Sequence, residues 1–140
     1  MTANTAPIFT KTPINTWDTI AAANTALDGT GTVAIPFTAD GTNGGYVQSI
    51  FVKSNTTTAT SAATVFRIFV NNGSTNATPA NNSLFREYTL TTVTATATAA
   101  TLNFEFPLNI QLAAGYRILC TAGTLAGSTG YNVTCLGGNY

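Results

Sequence analysis

With 140 residues the chain has the size of one domain and can bury a core without disulfides or metals. Charged residues make up 7% of it, against roughly 25% in an average soluble protein, while the hydrophobic share of 44% is ordinary, so the deficit lies in surface chemistry. Net charge is zero and the five cations are scattered, which excludes the basic stripe of nucleic-acid binding; the absence of His excludes Ser-His-Asp and Cys-His catalysis and most zinc or iron sites.

The chain opens on "MTANTAPIFTKTP", with no basic start and no apolar run of the signal-peptide kind, and no window is apolar and long enough for a spanning helix. The expectation is a protein made and kept in the cytoplasm, with no membrane partner. Residues 1–15, with Pro7 and Pro13, read as an extended N-terminal arm without a core of its own, suited to reach a neighbour through Ile8 and Phe9. Residues 16–140 read as one domain.

"TWDTIAAANTALDG" (16–29) is ambiguous. Thr16 could cap a helix with Trp17, Ile20, Ala21 and Leu27 on one face, but Thr and Asn are poor helix formers, and a first strand or extended segment is preferred. Period-two alternation then dominates, the mark of strands with one face buried. The runs are "TVAIPFTA" (32–39), "GYVQSIFVKS" (45–54), "ATVFRIFVNN" (63–72), "SLFREYTLTTV" (83–93), "TLNFEFPLNIQL" (101–112), "GYRILCTAGT" (115–124) and "GYNVTCLGG" (130–138). Bounded by Gly, Asn and Asp, they predict an all-β, antiparallel β-sandwich of about eight strands, jelly-roll-like.

Several local expectations follow. The inward set is Val33, Ile35, Phe37, Ile50, Val52, Phe66, Ile68, Val70, Leu102, Phe104, Phe106, Ile118 and Val133. "NNGSTNATPANN" (71–82) is a polar loop of about ten residues in a hairpin or sheet-to-sheet crossover, of a length that often carries function. "TATATAATLN" (94–103) is the tip of a long hairpin, because Thr suits a pleated surface. Pro107 cannot donate to a ladder, so its strand lies at an edge or carries a bulge. A type II′ turn at Gly127-Ser128 would set Cys120 opposite Cys135 on adjacent strands; cytoplasmic origin argues for two buried, reduced thiols facing each other unbonded.

Candidate sites are few. Glu87 and Glu105 could form the carboxylate pair of glycosidic chemistry, but both fall on polar strand faces, where solvated carboxylates are the preferred reading. "DGTGT" (28–32) and "DGTNGG" (40–45) begin like calcium loops, yet Phe51 stands where the second needs its bidentate Glu, and Asp-Gly is a common turn dipeptide. Neither a metal site nor a cofactor is expected. Sequons at Asn55, Asn72, Asn76, Asn81 and Asn132 are chance products of the composition. Tyr46, Tyr88, Tyr116, Tyr131 and Tyr140 are candidates for a sugar-binding platform, with packing in core or interface preferred. The candidate interface residues are Ile8, Phe9, Trp17, Asn72, Asn76, Pro79 and Tyr140.

The phrases "FRIFVNNGSTNATPANNSLFREYTL" and "FPLNIQLAAGYRILCTAG" resemble small β-sandwich virion proteins of tailed bacteriophages, of the capsid decoration or cement type, over roughly residues 16–140. The resemblance implies a structural, non-enzymatic protein that binds and stabilises the outer capsid lattice. It further implies a homotrimer that assembles in the host cytoplasm and has the major capsid protein or another virion protein as partner. Neutral, hydroxyl-rich surfaces agree independently, since such surfaces lack the repulsion that keeps molecules apart. The alternative is a carbohydrate-binding or adhesion module of a phage tail or fibre.

Overall fold

In a computed structural model, residues 9–55, 61–125 and 130–140 are described. They form eight strands and one short 3-10 turn: β1 (Thr12–Ile20), β2 (Ala34–Thr38), β3 (Gly45–Ser54), β4 (Thr64–Asn71), the turn Pro79–Asn81, β5 (Asn82–Leu90), β6 (Asn103–Leu112), β7 (Arg117–Ala122) and β8 (Tyr131–Asn139). The strands make two antiparallel four-stranded sheets that pack as a β-sandwich. One, the A sheet, has the order β1-β8-β3-β6; the other, the B sheet, has β2-β7-β4-β5.

Alternation explains the core. Val47, Ile50, Val52, Phe106, Val133 and Cys135 of the A sheet meet Phe37, Phe66, Ile68, Ile118 and Cys120 of the B sheet in one buried cluster. The two open sides are closed by different means. Between β1 and β2 the links are polar: Thr16 Oγ1 donates to Pro36 O at 2.6 Å, and Ile35 N donates to Asp18 Oδ2 at 2.7 Å. On the β5/β6 side they are aromatic, with Phe106 stacked on Tyr88 at 4.0 Å, on Phe66 at 5.5 Å and on Phe104 at 6.0 Å between centroids.

Pro107 meets both of its expected accommodations. β6 is an edge strand, and the register shifts between Val47 and Ser49 where Ser49 faces Pro107, with Asn109 at φ 51 in the bulged segment. The loop 72–81 joins β4 and β5 of one sheet, so the 71–82 stretch is a hairpin rather than a crossover.

Five expectations are corrected. Ile35 is 36% exposed, because a bulge between Ala34 and Phe37 turns it outward and Pro36 inward. Phe104 is 38% exposed: it lies on the inner side of β6, but at the rim of an edge strand. Val33 is half-buried and outside the core cluster, whereas Val70, also half-buried, packs against the core as expected. Residues 94–103 are not a hairpin tip, since β5 and β6 belong to opposite sheets and the segment crosses between them. The cysteines are buried and free, yet not opposed on one ladder: Cys120 pairs with Ala34 and Ile68, Cys135 with Thr16 and Ile50, in different sheets. The turn at Gly127-Ser128 lies outside the described residues, and so does Ile8; of the expected arm, Thr12–Asn15 already belong to β1.

Candidate functional site

The two outer faces of the sandwich differ. That of the B sheet is covered over β4 and β7, while on its edge strand β5 Leu84, opposite Phe69, and Glu87, opposite Arg67, stay exposed. Residues 21–33, between β1 and β2, have no regular structure, and a segment of that kind must find partners for its backbone polar groups. Asparagine side chains supply them. Asn24 Nδ2 donates to Thr30 O and Thr32 O at 2.8 and 2.7 Å, Asn76 Nδ2 to Gly31 O at 2.9 Å, and Asn82 Nδ2 to Asp28 O and Asn76 O, both at 2.9 Å. The backbone adds Asn24 N to Ala122 O at 2.9 Å. Gly29, at φ 73, sits so close to Phe69 and Asn82 that a Cβ would fall 2.8 Å from the Asn82 Cβ. Beneath the cover, Phe69, Leu119 and Thr121 are completely buried although they point away from the core.

The outer face of the A sheet has no such cover among the described residues. Residues opposed across antiparallel strands share a face, so the register lays this one out in rows. Trp17, Thr134, Phe51 and Glu105 form one row; Asn15, Leu136, Ser49 and Pro107 a second; Thr19, Asn132, Lys53 and Asn103 a third. Trp17 is 71% exposed in mid-strand, and Phe51 and Leu136 are half-buried on the same face. The three rows carry one cation, Lys53, and one anion, Glu105. At the β1 entrance Phe9, 79% exposed, lines a cleft with Thr10, Tyr46, Gln111 and Tyr140, and Tyr46 Oη donates to Asn109 Oδ1 at 2.8 Å.

Of the residues expected to make contacts, Trp17, Phe9 and Tyr140 thus lie on or beside the face of the A sheet. Asn72, Asn76 and Pro79 lie instead on the hairpin loop at the B sheet, where Asn76 is committed to the covering segment and Asn72 Nδ2 donates to Asn81 Oδ1 at 3.2 Å. Phe51, Thr134 and Leu136 were not foreseen, because their neighbourhood with Trp17 exists only through the pairing of β1 with β8 and of β8 with β3. No local pattern encodes that pairing. The tyrosines do not gather: Tyr131 is completely buried, Tyr88 stacks on Phe106, and Tyr116 packs against the core.

The carboxylates of the two Asp-Gly stretches are occupied. Asp28 Oδ1 accepts from Thr30 N at 3.0 Å and Thr30 Oγ1 at 2.7 Å, and Asp40 Oδ1 from Thr42 N and Asn43 N at 2.9 and 2.8 Å. These bonds lower both pKa values, for Asp28 chiefly through the Thr30 hydroxyl and for Asp40 chiefly through the Asn43 amide. The Asp-Gly stretches are therefore Asx turns entering β2 and β3. Glu87 pairs with Arg67 Nε at 2.7 Å across β4 and β5, while Glu105 stands on the opposite sheet, so the two carboxylates do not form a catalytic pair. Among the described residues no three His, Cys, Asp or Glu cluster to hold a metal, and no helix is long and apolar enough to cross a membrane. Both thiols sit in the core, where burial raises the pKa of Cys120 well above its ordinary value and that of Cys135 to about 12.

No family model, curated protein or solved structure matches the chain.

Proposed function

We propose that the protein is a structural virion subunit, a capsid decoration or cement protein that uses the outer face of the A sheet to bind its own copies and the capsid lattice. The observation that carries this reading is Trp17, 71% exposed in the middle of a strand, on a sheet face that has no cover among the described residues, while the segment 21–33 covers β4 and β7 on the opposite outer face. An aromatic residue that shares its sheet face with Thr134, Phe51 and Leu136 and with little charge has the make-up of an interface, where aromatics are enriched and charges depleted. The strand pairings β1/β8, β2/β7, β3/β6 and β4/β5 support the jelly-roll form of the sandwich, since rolling one long hairpin of those four pairs generates both sheet orders. The likeness of the 66–90 and 106–123 stretches to phage decoration proteins supports the capsid as partner, and a homotrimer as the assembled unit.

The test is reconstitution. Purified protein added to particles stripped of it should rebind and raise their resistance to heat, and Trp17→Ser should bind at least about tenfold more weakly, as loss of a central aromatic anchor implies. Wild-type protein that binds no particle overturns the reading.

A further inference from the structure

The B sheet carries an open cleft of about 410 Å³ beside the covering segment, at the start of β4. It lies between Thr25 of the cover, Val65 and Arg67 of β4, Thr89 of β5, and Gly123 and Thr124 just beyond β7. Hydrogen bonds fix its walls: Gly123 N donates to Val65 O at 3.1 Å and Thr124 N to Thr64 Oγ1 at 2.8 Å. Among the described residues that line it, Arg67 alone is charged. Its side chain is only 11% exposed, between the wholly buried Thr121 on one neighbouring strand and Glu87 on the other. The guanidinium is held at one edge, where Nε donates to Glu87 Oε1 at 2.7 Å. Nη1 lies under Gly123, 3.8 Å from the place a Cβ there would take, and is sealed from solvent without a partner. Nη2 also has no partner among the described residues, but it is not sealed off as Nη1 is, so it is the guanidinium nitrogen open to the cleft.

We infer that this cleft binds a small aliphatic carboxylic acid as its monoanion, with the carboxylate on Arg67 Nη2. A guanidinium drawn largely out of water with most of its N–H groups unpaired costs free energy that an acceptor offsets, and its charge-assisted bonds to a carboxylate are the strong ones. Because a guanidinium only donates, a cationic ligand finds nothing here. The charge of the anion follows from Glu87. That carboxylate, 45% exposed, already balances Arg67, so a phosphate dianion would meet it with no second cation in the cleft, whereas a monoanion meets the least repulsion. The exposed Thr25, Thr89 and Thr124 bring hydroxyls that can donate to the second carboxylate oxygen. Ala63, Val65 and the bare Gly123 supply an apolar wall for a short alkyl chain. With one charge-assisted bond and an open mouth, binding should be weak, with Kd of about a millimolar. The site lies on the other sheet from Trp17 and does not rest on the proposed contact role.

The test is a titration of the full-length, isotope-labelled protein with sodium butyrate at constant pH and ionic strength, followed by amide and Arg67 Nε–H chemical shifts. Inorganic phosphate and N-acetylaspartate amide serve as comparisons, the latter offering a carboxylate as the side chain of a partner protein would. Butyrate should give saturable shifts centred on Thr25, Arg67, Gly123 and Thr124, phosphate should give none there, and the aspartate compound should bind at least about threefold more weakly than butyrate. Arg67→Gln should abolish the butyrate shifts. Since that change also strips Glu87 of its partner, Glu87→Gln is the second variant: it keeps the arginine, removes the competing carboxylate and should tighten butyrate about threefold, a gain that a purely structural ion pair would not give. Trp17→Ser should bind butyrate as the wild type does, even where it fails to bind particles. No saturable shift with butyrate, tighter binding of phosphate or of the aspartate compound, or an affinity that stays level or falls in Glu87→Gln would each overturn the inference.

Discussion

Phe104 and Phe106 lie two residues apart on the inner side of β6, with parallel rings 6.0 Å apart, yet one is 38% exposed and the other is buried against Phe66 and Tyr88. Phe106→Ala should therefore cost about 3–5 kcal/mol and Phe104→Ala only about 1 kcal/mol, as read from urea denaturation. The same scale sets the pH response. Hydrogen bonds hold the Asp28 and Asp40 pKa below the ordinary 3.8, so their stabilisation is present above that pH and is lost as the pH falls through their lowered folded-state values. Burial raises both thiols from their ordinary 9.0, Cys135 to about 12, so their contribution is complete below pH 9.0 and disappears as the pH climbs towards 12. Stability should thus form a plateau between the two limbs, and Cys135→Ala should flatten the alkaline limb without moving the acid one. Thiol reagents at neutral pH should leave the native protein unmodified and label both cysteines after unfolding, because the reactive species is the thiolate.

At the scale of elements, the covering segment 21–33 depends on single amide groups. Asn82→Asp removes the Nδ2 that bonds Asp28 O and Asn76 O while keeping its shape, and should destabilise the protein by about 1–3 kcal/mol and open 21–33 to proteolysis. Asn72→Asp, at an exposed loop position, should change stability by under about 0.5 kcal/mol. This contrast marks the limit of what the sequence made legible. Alternation showed β3, β4 and β6, and Pro107 announced both an edge and a bulge, because those signals are local. Asn72, Asn76 and Asn82 look alike in the chain, and only the fold separates the amides that staple the covering segment from the one that bonds within its own exposed loop. The cysteine ladder failed for a related reason: a short Gly-Ser connection suggests a hairpin, whereas β7 and β8 each complete a different sheet.

For the whole molecule, the asymmetry of the two outer faces is the central feature. A neutral chain lacks the charge repulsion that keeps small domains apart, and among the described residues this one covers β4 and β7 of its B sheet while no segment covers the exposed Trp17 and the half-buried Phe51 and Leu136 on its A sheet. The fold class was readable in advance, but the face was not, since it is assembled from β1, β3, β6 and β8, which lie far apart in the chain. Contacts made there involve one Lys and one Glu, so raising salt from low to physiological strength should weaken them little, as screening acts on charges. The most direct measurement is the mass in solution by light scattering, for wild type and for Trp17→Ser. The account predicts a wild-type mass of about three times the 14.5 kDa of one chain, nearly unchanged by salt, and a fall towards 14.5 kDa in the variant. A wild-type protein that stays at 14.5 kDa at all concentrations, or a variant that keeps the full assembled mass, would contradict it.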